Sequence, residues 1–145
     1  MIYKHIQTGR LMIFVFLAVV LVFVSVLLKT GFETITVFYM LFVLFILLSF
    51  MSLEVLIDEE YLRIKFGYGL FRKRFELKKI ISAKAVKNHW YYGWGIKRCL
   101  VPPMWIYNVS GFDAVEIRMT NGKIYRIGTD EPENLEQAIK QAIRQ

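Results

Sequence analysis

Two stretches in the first third of the chain are apolar without any period, and most of the remaining sequence alternates. Residues 11–28, LMIFVFLAVVLVFVSVLL, contain one polar side chain, Ser25. Residues 35–53, ITVFYMLFVLFILLSFMSL, carry no charge, and their polar members are hydroxyls that can bond back to a helix backbone. Eighteen helical residues span about 27 Å, close to the thickness of a bilayer's hydrocarbon core. For the first stretch the Leu, Ile, Phe and Val content favours insertion by about 5–9 kcal/mol. Neither stretch has the polar face that a helix of a soluble core would need. The gap from Lys29 to Thr34 suits a hairpin turn at Gly31. The pattern predicts a two-helix transmembrane hairpin, with helices at about 11–28 and 35–53. Lys4 and Arg10 resemble the basic start of a signal peptide. The apolar run after them is too long for one, and no A-x-A-like cleavage site closes it.

From residue 54 the period becomes two. Leu62, Ile64 and Phe66 alternate with Arg63 and Lys65, the signature of a half-buried strand. Similar readings place strands at Glu54–Ile57, Phe71–Phe75, Ile81–Val86, Met104–Val109, Val115–Met119 and Lys123–Ile127. Asn121-Gly122 marks a tight hairpin between the last two, because both residues tolerate positive φ. The chain then reads as a helix. Asp130 and Glu133 make a capping-box-like start, Pro132 sits in the first turn, and Leu135, Ala138, Ile139, Ala142 and Ile143 form one apolar stripe. The expected fold is α+β: a hairpin over residues 1–53, then, over 54–145, a seven-stranded antiparallel barrel or sandwich closed by a C-terminal helix.

Composition sharpens this division. The chain has 145 residues, 56% apolar and 21% charged. Residues 1–53 hold only Lys4, Arg10, Lys29 and Glu33 as charged side chains. Lys and Arg flank the hairpin and crowd the C-terminal part, so the positive-inside rule predicts a multi-pass protein of the cell (inner) membrane with both termini cytoplasmic. With no ionisable residue inside either apolar stretch, an ion or proton pathway through the bilayer is not expected. The lone cysteine, Cys99, excludes an internal disulfide and a cysteine metal cluster. A net charge of +7 points to anionic partners.

Several stretches carry a family likeness. Tyr91-Tyr92-Gly93-Trp94-Gly95-Ile96-Lys97-Arg98, Tyr107-Asn108-Val109-Ser110-Gly111, Ala114-Val115-Glu116-Ile117 and Arg126-Ile127-Gly128-Thr129-Asp130-Glu131-Pro132-Glu133 together resemble bacterial membrane-anchored proteins of the pleckstrin-homology-like (PH-like) fold. The similarity runs over residues 54–145, and the two preceding helices are similar to that family's anchor. It implies a noncatalytic module. Phosphoinositide-binding members of the wider fold place basic residues in the turn joining the first two strands. Here that turn is Asp58-Glu59-Glu60, which is acidic and does not fit that mode.

No catalytic constellation emerges. His5 and His89 are too few for a conventional His-based metal site, and the glycines of Gly67-Tyr68-Gly69 and Gly93-Trp94-Gly95 lack the Lys and Ser/Thr of a phosphate loop. Neither a cofactor nor an enzymatic role is expected. Two features stand out. Arg63 to Arg98 holds eleven Lys or Arg against Glu76 alone. Within it, Trp90, Tyr91, Tyr92 and Trp94 precede Lys97 and Arg98. Amphipathic aromatics beside cations suit a membrane–water interface. The candidate surface is therefore Arg72, Lys73, Arg74, Trp90, Tyr91, Tyr92, Trp94, Lys97 and Arg98. It would face anionic lipid head groups, a protein partner or a second copy of the chain. A membrane tether argues against nucleic acid. The other reading is an accessory or assembly subunit of a larger membrane complex with a mainly structural role.

Overall fold

Uninterrupted apolarity and period-two alternation become helices and sheets, but the division between them differs from the sequence reading. The chain is described by a computed structural model over residues 3–100 and 103–144. Helix α1 covers Arg10–Thr30 and buries none of its side chains. At 21 residues and a mean hydropathy of 3.3 it is long and apolar enough to cross a membrane. Helix α2, Thr34–Leu48, packs against it around Met40, its one buried residue. Fifteen residues reach about 22 Å, short of a full hydrocarbon core. The expected end at Leu53 is corrected. The Ser49 hydroxyl donates to the Ile46 carbonyl at 2.5 Å, and the amides of Phe50 and Met51 reach back only three residues. The helix tightens and stops. Leu53 and Phe50 are apolar because they join the protein core, a distinction that hydropathy alone does not make.

Among the described residues the backbone pairing gives nine strands, not seven. Strand β1, Tyr3–Thr8, lies ahead of the first helix and was not expected at all. It pairs antiparallel with β2, Ser52–Ile57, from Tyr3↔Ile57 to Thr8↔Ser52. Strands β3, Tyr61–Phe66, and β4, Phe71–Glu76, complete a first sheet in the order β1-β2-β3-β4. Residues 3–8 thus share a sheet with the C-terminal part, across the boundary expected at 53/54 (residues 1, 2 and 145 of the expected boundaries lie outside the described residues).

The second sheet contains β5 (Ile80–Lys87), β6 (Gly95–Leu100), β7 (Pro103–Asn108), β8 (Asp113–Met119) and β9 (Ile124–Gly128). Its order is β5-β8-β9-β7-β6. Strands β7 and β9 run parallel, so the sheet is mixed and not wholly antiparallel. Strand β6 escaped the sequence pattern because Cys99 is its only buried side chain, as an edge strand permits. A bulge between Ile80 and Ser82 resets the register of β5. Ile80 and Ala83 therefore turn inward, while Ile81 is 61% exposed.

One apolar cluster joins the two sheets and the C-terminal helix. Leu53, Val55 and Ile57 of β2, Leu62, Ile64 and Phe66 of β3, and Val115 and Ile117 of β8 are at most 2% exposed. Helix α3, Pro132–Arg144, presses Leu135, Ala138, Ile139 and Ala142 onto β5 and β8 and reaches β2. The expected stripe therefore seats the helix. Its start differs from the predicted capping box, because the Leu135 amide donates to the Glu131 carbonyl and the Thr129 hydroxyl accepts the Glu131 amide. The Asp130 carboxylate turns instead to His5 of β1, at 2.5 Å.

Candidate functional site

Strand alternation divides the consecutive cations of β4. Phe71 and Phe75 stand opposite Phe66 and Leu62 on the inner face, and Lys73, opposite Ile64, shares it. The Lys73 ammonium lies 5.9 Å from the Phe75 ring centroid and 5.8 Å from that of Tyr125. Arg72 and Arg74 project from the outer face. There the register sets Arg74 opposite Arg63, and Arg72 opposite Lys65. The next strands add Glu54 opposite Lys65, Leu56 opposite Arg63, and Lys4 of β1 opposite Leu56. Like charges facing one another across an antiparallel pair are destabilising. This face carries two such pairs side by side.

The protein supplies few counter-charges. Glu54 reaches Lys65 at 3.6 Å and Asp58 reaches Arg63 at 3.0 Å. The Asp58 carboxyl is held below its usual range by the amides of Glu60 and Tyr61, which also close the β2–β3 turn. Arg72 donates through Nε to the Gly69 carbonyl at 2.8 Å. Arg74 rests 5.2 Å from the Tyr61 ring centroid, and Arg63 rests 5.4 Å from it. Among the described residues neither Arg72 nor Arg74 meets a carboxylate. A hollow of about 580 Å³ opens beside these residues, lined by Glu54, Leu56, Arg63, Ile64, Lys65, Arg72, Lys73 and Arg74.

The aromatic segment divides in the same way. A short 3₁₀ turn, Trp90–Tyr92, leaves Trp90 75% and Tyr91 56% exposed but points Tyr92 inward, where it packs with Cys99, Met104 and Ile106. Tyr92 belongs to a small second core, and burial pushes its hydroxyl pKa up. Trp94 is half-buried, donates from its indole N–H to the Gly111 carbonyl at 3.1 Å, and packs on Phe112. On β6, Lys97 and Arg98 point to opposite faces; Lys97 reaches the Tyr91 carbonyl, and Arg98 lies 5.9 Å from the Trp105 ring centroid. The nine candidate residues thus fall on two sheets. Arg72 and Arg74 project beside the hollow and Lys73 turns to the inner face, while Trp90, Tyr91, Trp94 and Lys97 form a separate surface that excludes Tyr92, in the core, and Arg98, on the opposite face of β6.

Both surfaces have a defined relation to the helices. At the end where β1 runs into α1 and α2 runs into β2, the β3–β4 turn presses against the last turns of α2. The Tyr68 hydroxyl donates to the Phe45 carbonyl at 2.6 Å, and the two rings are 5.3 Å apart. Gly67 sits so close that a Cβ there would lie 2.6 Å from the Ser49 carbonyl oxygen, at a φ of 52°. At the same end, the Gln7 amide donates to the Ser110 carbonyl in the turn that also holds Gly111 and Phe112. Exposed Tyr68 and Leu70 in the first of these turns, and Phe112 with Trp94 packed on it in the second, form an apolar collar at the helix entry, and Trp90 and Tyr91 are exposed on the 3₁₀ turn that leads into Trp94. On β4, Arg72 lies one residue from Phe71, at the collar end of the strand.

Two polar networks had no clear sequence signal, because their members are distant in the chain. His5 contacts Asp130 and, at 3.5 Å, Glu131, which also accepts the Tyr3 hydroxyl at 3.1 Å. Arg126 joins Glu116 at 3.0 Å to Asn88 at 3.2 Å on the outer face of the second sheet. Glu116, on the outward face of its strand, is largely buried and paired. By contrast, Arg63 and Lys65 were visible as the outward residues of an alternating strand; only the hairpin register was needed to set them beside Arg72 and Arg74. Among the described residues, no three His, Cys, Asp or Glu side chains converge in a metal-binding arrangement. Compared with known proteins, the chain matches no family model and no curated sequence.

Proposed function

We propose that this chain is a membrane-anchored, noncatalytic PH-like interaction module, held by a two-helix hairpin and docked against an anionic membrane surface. The observation that carries the proposal is the collar. Tyr68, Leu70, Trp94 and Phe112 lie at the end of the β domain from which the helices leave, and the 3₁₀ turn leading into Trp94 exposes Trp90 and Tyr91. Tyr and Trp prefer the interfacial layer, and each nearby Lys or Arg adds about 1 kcal/mol of attraction to anionic lipid. The pairing of β1 with β2 on either side of the hairpin supports a return of the chain to its starting side. The Lys and Arg excess makes that side the cytoplasm, in a cell (inner) membrane. The short α2 is accommodated by local thinning of the bilayer or by extension into the interfacial Ser49–Met51 turn. Two stacked sheets and a closing helix support the PH-like reading, although the additional strands and the parallel pair go beyond the seven-stranded plan.

Topology and docking are tested separately. In a Cys99→Ser background, a membrane-impermeant thiol reagent should label Gly31→Cys from outside the cell. It should label Gln145→Cys only after permeabilisation. Labelling of both from the same side would overturn the hairpin. For docking, Trp90→Ala with Tyr91→Ala should leave the fold intact, because both side chains are exposed, and should increase proteolysis of the domain surface in anionic vesicles. Unchanged proteolysis would overturn the docked arrangement.

A further inference from the structure

We infer that the hollow on the outer face of the first sheet is a binding site for a phosphate-bearing ligand, gripped by the guanidinium groups of Arg72 and Arg74. Three observations support it. First, the register builds a grid of four cations, Arg63, Lys65, Arg72 and Arg74. Opposed positions in such a grid are about 5 Å apart and successive outward positions about 7 Å apart, which concentrates four charges on one small patch. Glu54 and Asp58 offset Lys65 and Arg63, and the two cations left over, Arg72 and Arg74, favour an anion between them. Second, the two residues without a carboxylate partner among the described residues are both Arg. A guanidinium presents a planar fork that meets two phosphate oxygens at once. The Gly69 carbonyl at 2.8 Å and the Tyr61 ring hold Arg72 and Arg74 in place, leaving further N–H groups for a ligand. Third, the hollow of about 580 Å³ is the size of a small-ligand site, and Leu56 gives it an apolar patch.

The same phosphate chemistry can come from a lipid headgroup or from a soluble compound. Position favours the headgroup, since Arg72 lies at the collar end of β4. That preference rests on the docked arrangement proposed above; the anion site itself does not. The acidic turn Asp58-Glu59-Glu60 lies at the other end of the strands and meets the grid at Arg63, through Asp58 at 3.0 Å.

The test uses the full chain in mild detergent and phosphate-free buffer. Pyrophosphate is titrated by calorimetry, and native mass spectrometry compares retention of phosphatidic acid with that of phosphatidylcholine. At least one of the two phosphate probes should bind, and Arg72→Gln with Arg74→Gln should weaken it by about tenfold or more. Arg72→Lys with Arg74→Lys keeps the charge but loses the fork, and should weaken it by several-fold. Lys87→Gln with Lys123→Gln removes the same charge from the second sheet and should leave binding unchanged. Selective retention of phosphatidic acid without pyrophosphate binding assigns the site to a headgroup; pyrophosphate binding assigns it to a soluble ligand. Failure of both probes to bind at low salt overturns the site. So does equal weakening by the Lys87/Lys123 pair, which would reduce it to net charge. Either failure leaves the thiol-labelling result untouched, so loss of this site and loss of the membrane reading are distinguishable.

Discussion

Thr8 and Ser52 face each other across the β1–β2 ladder. Residues directly opposite in an antiparallel pair have Cα atoms only about 4.5–5.5 Å apart, a gap that a two-residue turn can close. Replacing residues 9–51 by Asn-Gly removes the packing of Phe50 on Phe66 and Phe71 but keeps the ladder, and should therefore give a water-soluble, folded domain with all nine strands. The informative comparison is with a chain that begins at Ser52 and lacks β1. The register from Tyr3 to Thr8 carries about six ladder hydrogen bonds, each worth about 1 kcal/mol net before the cost of ordering the strand. The Tyr3 bond to Glu131 and the His5 contact with Asp130 add to these. If half of the ladder contribution survives the ordering cost, the strand is worth about 3 kcal/mol, or roughly 12–24 °C in melting midpoint for a domain of this size. Urea unfolding followed by circular dichroism measures the difference. The shorter chain should also associate, because β2 becomes an open edge. If it is monomeric and as stable as the Asn-Gly version, β1 is not an integral strand and the reasoning fails.

Other consequences can be checked on that soluble version. Leu135→Asp or Ile139→Asp places a carboxylate where the native side chain is fully buried, and either should abolish the cooperative unfolding transition seen by circular dichroism. Gly128→Ala drives a methyl group into the buried Asn108 side chain, which is fixed by Gly111 and Ser110, so it should cost about 3 kcal/mol in urea melts. Glu136 has its carboxyl pKa lowered by Lys140 and by the Ala85 amide, which donates to it at 2.6 Å. Its contribution is present above the unfolded carboxyl value and is lost as pH falls through the lower folded value. Glu136→Gln should accordingly flatten the acid side of a stability-against-pH curve, and an unchanged acid slope would count against the contact.

What was legible in the sequence was what short-range pattern encodes. Leu62, Ile64 and Phe66 announced their strand by alternation, Asn121-Gly122 its turn, and the Leu135–Ala142 stripe its helix. The tail Tyr3–Thr8 was hidden because it becomes a strand only through a partner more than forty residues away, beyond both helices. The candidate surface was legible as composition but not as geometry. Arg72, Lys73 and Arg74 read as one basic run, and the pleat sends the middle residue to the opposite face. In Trp90-Tyr91-Tyr92, the 3₁₀ turn similarly commits one ring to the core. Aromatic and basic counts predict that a surface exists; register decides which residues share it.

The hairpin's place in the fold bears on what α1 is. An apolar helix near an N-terminus can be a removable leader as well as an anchor, and length and composition do not separate the two. Removal of α1 with its tail would take away β1, leaving β2 with an unpaired edge over its whole length and Glu131 without Tyr3 and His5. The tail supplies a strand and two side chains to the fold. Seen from the sheet, residues 9–51 are an elaborated turn inserted into a β-hairpin, both of whose strands are held by the rest of the domain. On the proposed topology that arrangement does mechanical work. The domain is tied to the membrane by two covalent connections at one end, side by side, so its rotation about either connection is restricted. A restricted domain presents the same collar and the same cationic face to the bilayer continuously, which is the condition under which a few weak interfacial contacts suffice to hold it.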